Sequence, residues 1–247
     1  FSGLQYDENG TIPSGYNPPT RIPTHVVPTS DDIVNILLLG SDSRDPDEEY
    51  GLSDVMMIMT VDRRHGTLKL ASIMRDTLVY IPGVEAPKKI NHANAFGGPA
   101  LAMRTVNEAF NLDIRKYALV DMRSAGQLID LVGGVLIDVR EEEIRYLNDA
   151  LRYQQKAFPD DPKSPFVETA GLQRLDGSQA VAYARIRKLD SDYARTGRQR
   201  TVVAALFRSF REVDVIRKAQ MVQKGFSFVR TNISPSDLTF MALDVLP

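Results

Sequence analysis

Five arginines, one lysine and two aspartates fall between Arg185 and Arg200. A guanidinium carries a fixed charge and a planar fork of donors, which matches phosphate and carboxylate oxygens. An apolar-periodic run follows at Val202, Val203, Leu206, Phe207, Phe210 and Val213. It predicts an amphipathic helix with Asp192 at its N-cap. Counting back along the inward stripe, Phe210, Leu206, Val202, Gln199 and Arg195 are three or four apart and share a face. The core face therefore begins with an arginine and a glutamine. Burying an arginine without an anion is costly, and a helix N-terminus attracts anions. Arg185 and Arg187 arrive just upstream with the alternation of an extended segment. Two readings stand: a solvated basic surface, or a cradle for phosphate or pyrophosphate. The inward phase of Arg195 and Gln199 favours the cradle.

A second set mixes acids and bases. A buried strand is expected over 33–39, stopped by Gly40, then Asp42, Arg44 and an acidic loop. Asp54 precedes a strand over 55–61, and Arg75 and Asp76 end another over 67–74. A turn centred near Arg64 makes a hairpin whose paired numbers sum to about 128–129. Asp54 then lies nearly opposite Arg75, and Asp42 can reach the same open end through its loop. Lys88, Lys89 and Asn91 sit in a loop before the next helix. Bland alternatives are that Asp42 caps a turn, Asp54 pairs with Arg75, and Arg75 bridges to Asp76.

The elements that must position these groups are strands alternating with helices after an initial hairpin. Helices are expected over 99–110 and 124–132, the latter closed by Gly133-Gly134, with a strand over 135–139. Glu141-Glu-Glu143 opens a polar helix as a solvated acidic N-terminus, and Asp176 starts a short helix delivering Arg185. More helix is expected over 221–229, and another helix starts at Ser234. A short strand is read over 117–120. This predicts an α/β fold, a single domain over 31–247 with a mixed central β-sheet flanked by helices on both faces. Residues 1–30, rich in proline and without periodicity, read as an extended N-terminal stalk or arm.

Composition narrows the chemistry. With 247 residues, 43% hydrophobic and 25% charged, the chain supports one sizeable core. A net charge of −2 gives no global field for nucleic acid, so the basic character is local and suits a small anion. There is no cysteine, which excludes disulfides and thiol chemistry, and the three histidines are too scattered for a zinc motif. The chain starts at Phe1 and holds no window approaching a membrane span, so an anchor is expected in sequence upstream.

The assembled pieces resemble the LytR-CpsA-Psr family of cell-wall phosphotransferases. The resemblance spans roughly Asn35 to Leu206 and includes Asn35-Ile-Leu-Leu-Leu-Gly-Ser-Asp42-Ser-Arg44, Ser53-Asp54, Arg75-Asp76-Thr77 and Lys89-Ile-Asn91. It continues through Gly97-Gly-Pro, Leu131-Val-Gly-Gly-Val135, Gly171-Leu-Gln-Arg-Leu-Asp-Gly177, Arg185-Ile-Arg187 and Asp192-Tyr-Ala-Arg195-Thr-Gly-Arg-Gln199. It implies transfer of a glycopolymer phosphate from a polyprenyl-pyrophosphate carrier to peptidoglycan. The setting it implies is the outer face of a bacterial membrane, expected to be Gram-positive, with an N-terminal membrane anchor. By position it makes Asp42 and Asp54 the site of Mg2+ or Mn2+. Arg44, Arg75, Lys89, Arg185, Arg187, Arg195 and Gln199 become pyrophosphate ligands. Arg75, Asp76 and Asp192 become the catalytic set, the two aspartates serving as base or orienting arginines. Leu52 stands where many relatives have an arginine, and Val55 where a threonine is common. Met56, Ile58, Leu70, Val203 and Phe207 line a lipid groove or are plain core. Rival readings are a polyprenyl-pyrophosphate hydrolase and a lipid-phosphate-binding regulatory module.

Overall fold

The computed structural model describes residues 32–41, 50–187 and 189–237. The expected arm over 1–30, Asp42 and Arg44 lie outside the described residues. In chain order the elements are β1 (Ile33–Ser41), β2 (Ser53–Asp62), β3 (Thr67–Ser72), β4 (Leu78–Val79), β5 (Lys88–Lys89), α1 (His92–Phe110) and β6 (Lys116–Asp121). There follow α2 (Met122–Leu131), β7 (Val135–Val139), α3 (Glu141–Ala157), β8 (Gly171–Leu175) and α4 (Gly177–Ala184). The last are α5 (Asp192–Arg211), α6 (Val215–Gly225) and β9 (Arg230–Thr231). The described residues fall into two compact units: one holds those up to Asp121 plus Arg230–Asp237, the other those within Met122–Val229.

In the first unit the strand order is β3-β2-β1-β6-β9. The β1–β6 pair is parallel and the other pairs are antiparallel, so the sheet is mixed, as the element pattern predicts. Residues of both parities are buried in β1 and β2, which explains their continuous apolar runs. One face packs on α1: Leu37, Leu39, Met56 and Leu119 meet Leu101, Ala102 and Val106. Met56 is buried in this core and Ile58 packs against it partly buried. Regular helix begins at Pro99, because Gly97 and Gly98 leave helical geometry. Gly98 has φ +66, and a Cβ there would lie 2.8 Å from the Tyr50 ring. Only glycine meets both conditions.

The second unit has its own core, so the described residues hold two cores where composition suggested one. Val135, Ile137, Leu147, Leu151, Leu175 and Val181 lie at its centre. The pair β7–β8 is antiparallel, and β8 was not foreseen. Its alternation over five residues is a weak periodic signal. Asp176 caps α4 as expected, accepting from the Gln179 N–H at 2.8 Å. The last long helix, α6, starts earlier than 221, because Asp214 accepts from the Arg217 N–H and caps it.

Candidate active site

The open end of the hairpin holds the first cluster. Observed β2–β3 partners sum to 129, from Asp62↔Thr67 to Met57↔Ser72. Pairing ends at Ser72, two residues short of expectation, yet the register carries forward. Arg75 Nη1 donates to Asp54 Oδ1 at 2.5 Å, each side chain 22% exposed. On the other edge of β2 the ladder slips. Gly40 faces Val55 and Ser41 faces Ser53, so Asp54 is the extra residue of a bulge. Bulges re-aim one side chain and recur beside active sites.

Asn91 holds this end together through its backbone. Its carbonyl accepts from the Ser53 N–H and hydroxyl, both at 3.4 Å, and its N–H donates to the Arg75 carbonyl at 3.3 Å. The two residues that flank or form the ion pair are thus tied to one point. Lys88 and Lys89, expected in a loop, form a short strand against Val79 and Leu78. That strand brings Lys89 Nζ to 3.0 Å from Asp76 Oδ1. Asp76 therefore faces Lys89, and the Arg75–Asp54 contact is the pairing weighed above as the bland alternative for Asp54.

A divalent cation is tested by the donors. Asp54 is half-buried, at a bulge, and a carboxylate with two oxygens can serve an arginine and a cation together. Magnesium needs one or two carboxylates, completed by water and phosphate oxygens, so Asp54 fits one such position. Among the described residues no group of three or more His, Cys, Asp or Glu could hold a metal.

The second cluster opens α5. Ser191, one residue before the expected cap, accepts from the Ala194 N–H at 3.3 Å. Asp192 takes the first helical position, where its charge suits the helix dipole. Arg195 is 3% exposed, with Asp192 Oδ1 3.4 Å from its Nη2, and Gln199 one turn on is also buried. The inward stripe is as counted. Arg185 departs from the extended alternation. It is the C-cap of α4 (φ −99, ψ 1), its N–H bound to the Ala182 carbonyl, and only past the buried Ile186 does exposed Arg187 follow.

Sequence reasoning gives Arg198 and Asp190 no role in the site and reads Glu143 only as part of a helix start. Arg198 is 4% exposed and grips Asp190 with both terminal nitrogens, the closest contact at 2.5 Å. Glu143 is 1% exposed, correcting its reading as a solvated helix start. It accepts from the Arg140 N–H through Oε2 and from the Arg140 guanidinium through Oε1. A signal for Arg198 was present: it lies three after Arg195 and four before Val202, on the same inward stripe. Beside this group, burial pushes the Tyr183 phenol up to about 12, and the Glu143 carboxylate adds to the shift.

Residues 13–246 match the LytR_cpsA_psr family. The chain belongs to the LytR-CpsA-Psr family. An Enterococcus faecalis relative, the polyisoprenyl-teichoic acid–peptidoglycan teichoic acid transferase TagU, is 34% identical over 214 residues. That alignment covers 85% of this chain and 65% of the relative, so the chain spans under two thirds of its length. Bacillus subtilis TagV superposes with TM-score 0.71 at 27% identity, covering 88% of this chain and 81% of TagV. TagT bound to LIIa-WTA superposes with TM-score 0.70 at 25% identity, covering 90% and 78%. These LytR-CpsA-Psr neighbours share the mixed α/β architecture described above.

Proposed function

We propose that this chain transfers a glycopolymer phosphate from a polyprenyl-pyrophosphate carrier to a sugar hydroxyl of peptidoglycan. The observation that carries this reading is Arg195, a guanidinium buried to 3% one turn into a helix start, with Gln199 buried beneath it. A cation in that place, where the helix itself favours anions, suits a phosphate ligand. Support for the acceptor comes from the name of the Enterococcus faecalis relative, a transferase onto peptidoglycan. The setting that follows is the outer face of a Gram-positive membrane, with an anchor in sequence preceding this chain.

In this proposal the hydroxyl oxygen attacks the glycan-linked phosphorus. The bond from that phosphorus to the bridging oxygen breaks, polyprenyl phosphate departs, and the hydroxyl proton passes to a carboxylate. Such transfers depend mainly on alignment and charge neutralisation. Arg185, Arg187, Arg195 and Gln199 supply donors to phosphate oxygens, and Arg75, Lys89 and Arg44 are further candidate phosphate ligands. Asp76 and Asp192 are the candidate proton acceptors, and each also orients a cation, Lys89 and Arg195 respectively. Asp54, with Asp42, would hold Mg2+ or Mn2+, which supplies charge neutralisation at the phosphates when bound.

The test is turnover of a lipid-linked glycan pyrophosphate with and without peptidoglycan, across magnesium concentrations. A phosphodiester product formed only with acceptor is the expected result. Release of glycan phosphate to water alone would replace the transferase reading with a hydrolase. Activity indifferent to chelator would remove the metal.

A further inference from the structure

Four side chains of the second unit close into a ring of alternating charge. Arg140 meets Glu143 at 2.9 Å, Glu143 lies 3.6 Å from Arg198, Arg198 meets Asp190 at 2.5 Å, and Asp190 lies 3.8 Å from Arg140. The ring has no net charge and its two inner members, Glu143 and Arg198, are almost fully enclosed. We infer that this ring is a positioning device for the loop between α4 and α5, fixing Arg187 as a phosphate ligand without itself touching phosphate. The inference rests on the pyrophosphate reading of Arg187.

Three observations carry it. First, the ring ties the loop to rigid supports. Glu143 is locked to the start of α3 by its own capping contact with the Arg140 N–H. Arg198 sits in the second turn of α5. Asp190 belongs to the loop and is gripped by Arg198 through both carboxylate oxygens, a geometry that fixes orientation as well as distance. Second, the other end of the loop is anchored by Ile186, buried in the core of this unit. Arg187 lies between the anchors, one residue past Ile186 and three before Asp190, and is exposed. A span that short has few conformations once both ends are held. Third, the chemistry is ill suited to stability alone. Buried ion pairs incur desolvation and are often replaced by apolar residues without loss, whereas directional pairs specify one arrangement. The ring arginines also stand apart from Arg195. Arg198 has both terminal nitrogens engaged by Asp190, the closest contact at 2.5 Å, while Arg195 meets Asp192 at the longer distance of 3.4 Å.

Asp190→Asn tests this, because Asp190 is 27% exposed and the amide keeps its shape. Arg198→Lys is the second variant, keeping the charge and removing the fork. Hydrogen exchange of the free protein is read over 185–191, and a short-chain prenyl pyrophosphate is titrated into each variant. The expected result is exchange in that segment faster by about tenfold or more, exchange in α3 unchanged, and affinity weaker on the order of tenfold. Exchange over 185–191 as slow as in the unaltered protein overturns the inference, whatever the ligand does. Fast exchange with unaltered affinity also overturns it, since the loop would then be held for no ligand. If the unaltered protein fails to bind the prenyl pyrophosphate, the proposed function falls, while the exchange comparison still shows whether the ring holds the loop.

Discussion

The open end of β2 and the first turns of α5 both gather arginines and carboxylates, but they hold them by different means. At β2 the Asp54–Arg75 pair is half-exposed, and its geometry comes from main-chain hydrogen bonds converging on Asn91. At α5 the charged groups are buried, and their geometry comes from other charged groups, Asp190, Glu143 and Arg140. A backbone-held pair can change partners without disturbing the fold, because its scaffold does not depend on the charges. A buried ring cannot, because each member compensates the next. The same residue types are therefore held by the backbone in one region and by one another in the other.

The contrast is broken most directly at Glu143. Glu143→Ala leaves Arg198 and Arg140 short of a carboxylate and removes the α3 cap, and should cost about 3–5 kcal/mol of stability in denaturant unfolding. A loss under about 1 kcal/mol would mean the ring is not framework. Arg195→Ala should act the other way. It should weaken binding of a short-chain prenyl pyrophosphate by roughly 2–4 kcal/mol. Thermal melting of the free protein should change little, and Arg195→Lys should rescue only part of the binding. Unchanged affinity with a large loss of stability would place Arg195 with the framework.

The titration of Tyr183 gives a smaller effect with a defined window. Its folded value is raised from 10 to about 12, so the folded state holds the proton where the unfolded state releases it. Stability is fully present below pH 10 and falls as pH rises towards 12, by up to about 1.4 kcal/mol per unit. Tyr183→Phe should flatten that decline relative to the unaltered protein, and an identical slope would remove the buried phenol as its cause. Smallest of all, Asn91→Ala should cost under about 1 kcal/mol, because the contacts that tie Ser53 and Arg75 are made by the Asn91 backbone. A cost of several kcal/mol in unfolding would show that the side chain, not the backbone, is the tie.

How much was legible in the sequence follows the same division. The hairpin sum placed Asp54 against Arg75 because a ladder propagates register by arithmetic, and the helical stripe placed Arg195 and Gln199 inward because helical phase does likewise. Contacts between distant segments obey no such counting. Glu143 meets Arg198 across the second unit, and nothing in Glu141-Glu-Glu143 marks the third carboxylate as the buried one. The bulge at Asp54 was equally hidden, since it is set by a slip against β1 at Gly40/Ser41. The cap of α5 moved from Asp192 to Ser191 because adjacent serine and aspartate are both good caps, and local pattern does not choose between them.

The two residues of β9 lie at Arg230–Thr231, after Met122–Val229 of the second unit, yet they pair with Leu119 and Ala118 in the first. During synthesis Met122–Val229 emerges before the sheet of the first unit receives its last described strand. Until then the free edge of β6 presents unpaired peptide groups, the kind of edge that recruits other chains. A nonsense mutation just ahead of Arg230 would leave the sheet of the first unit permanently without β9. Its consequence would be read as aggregation rather than as lost chemistry.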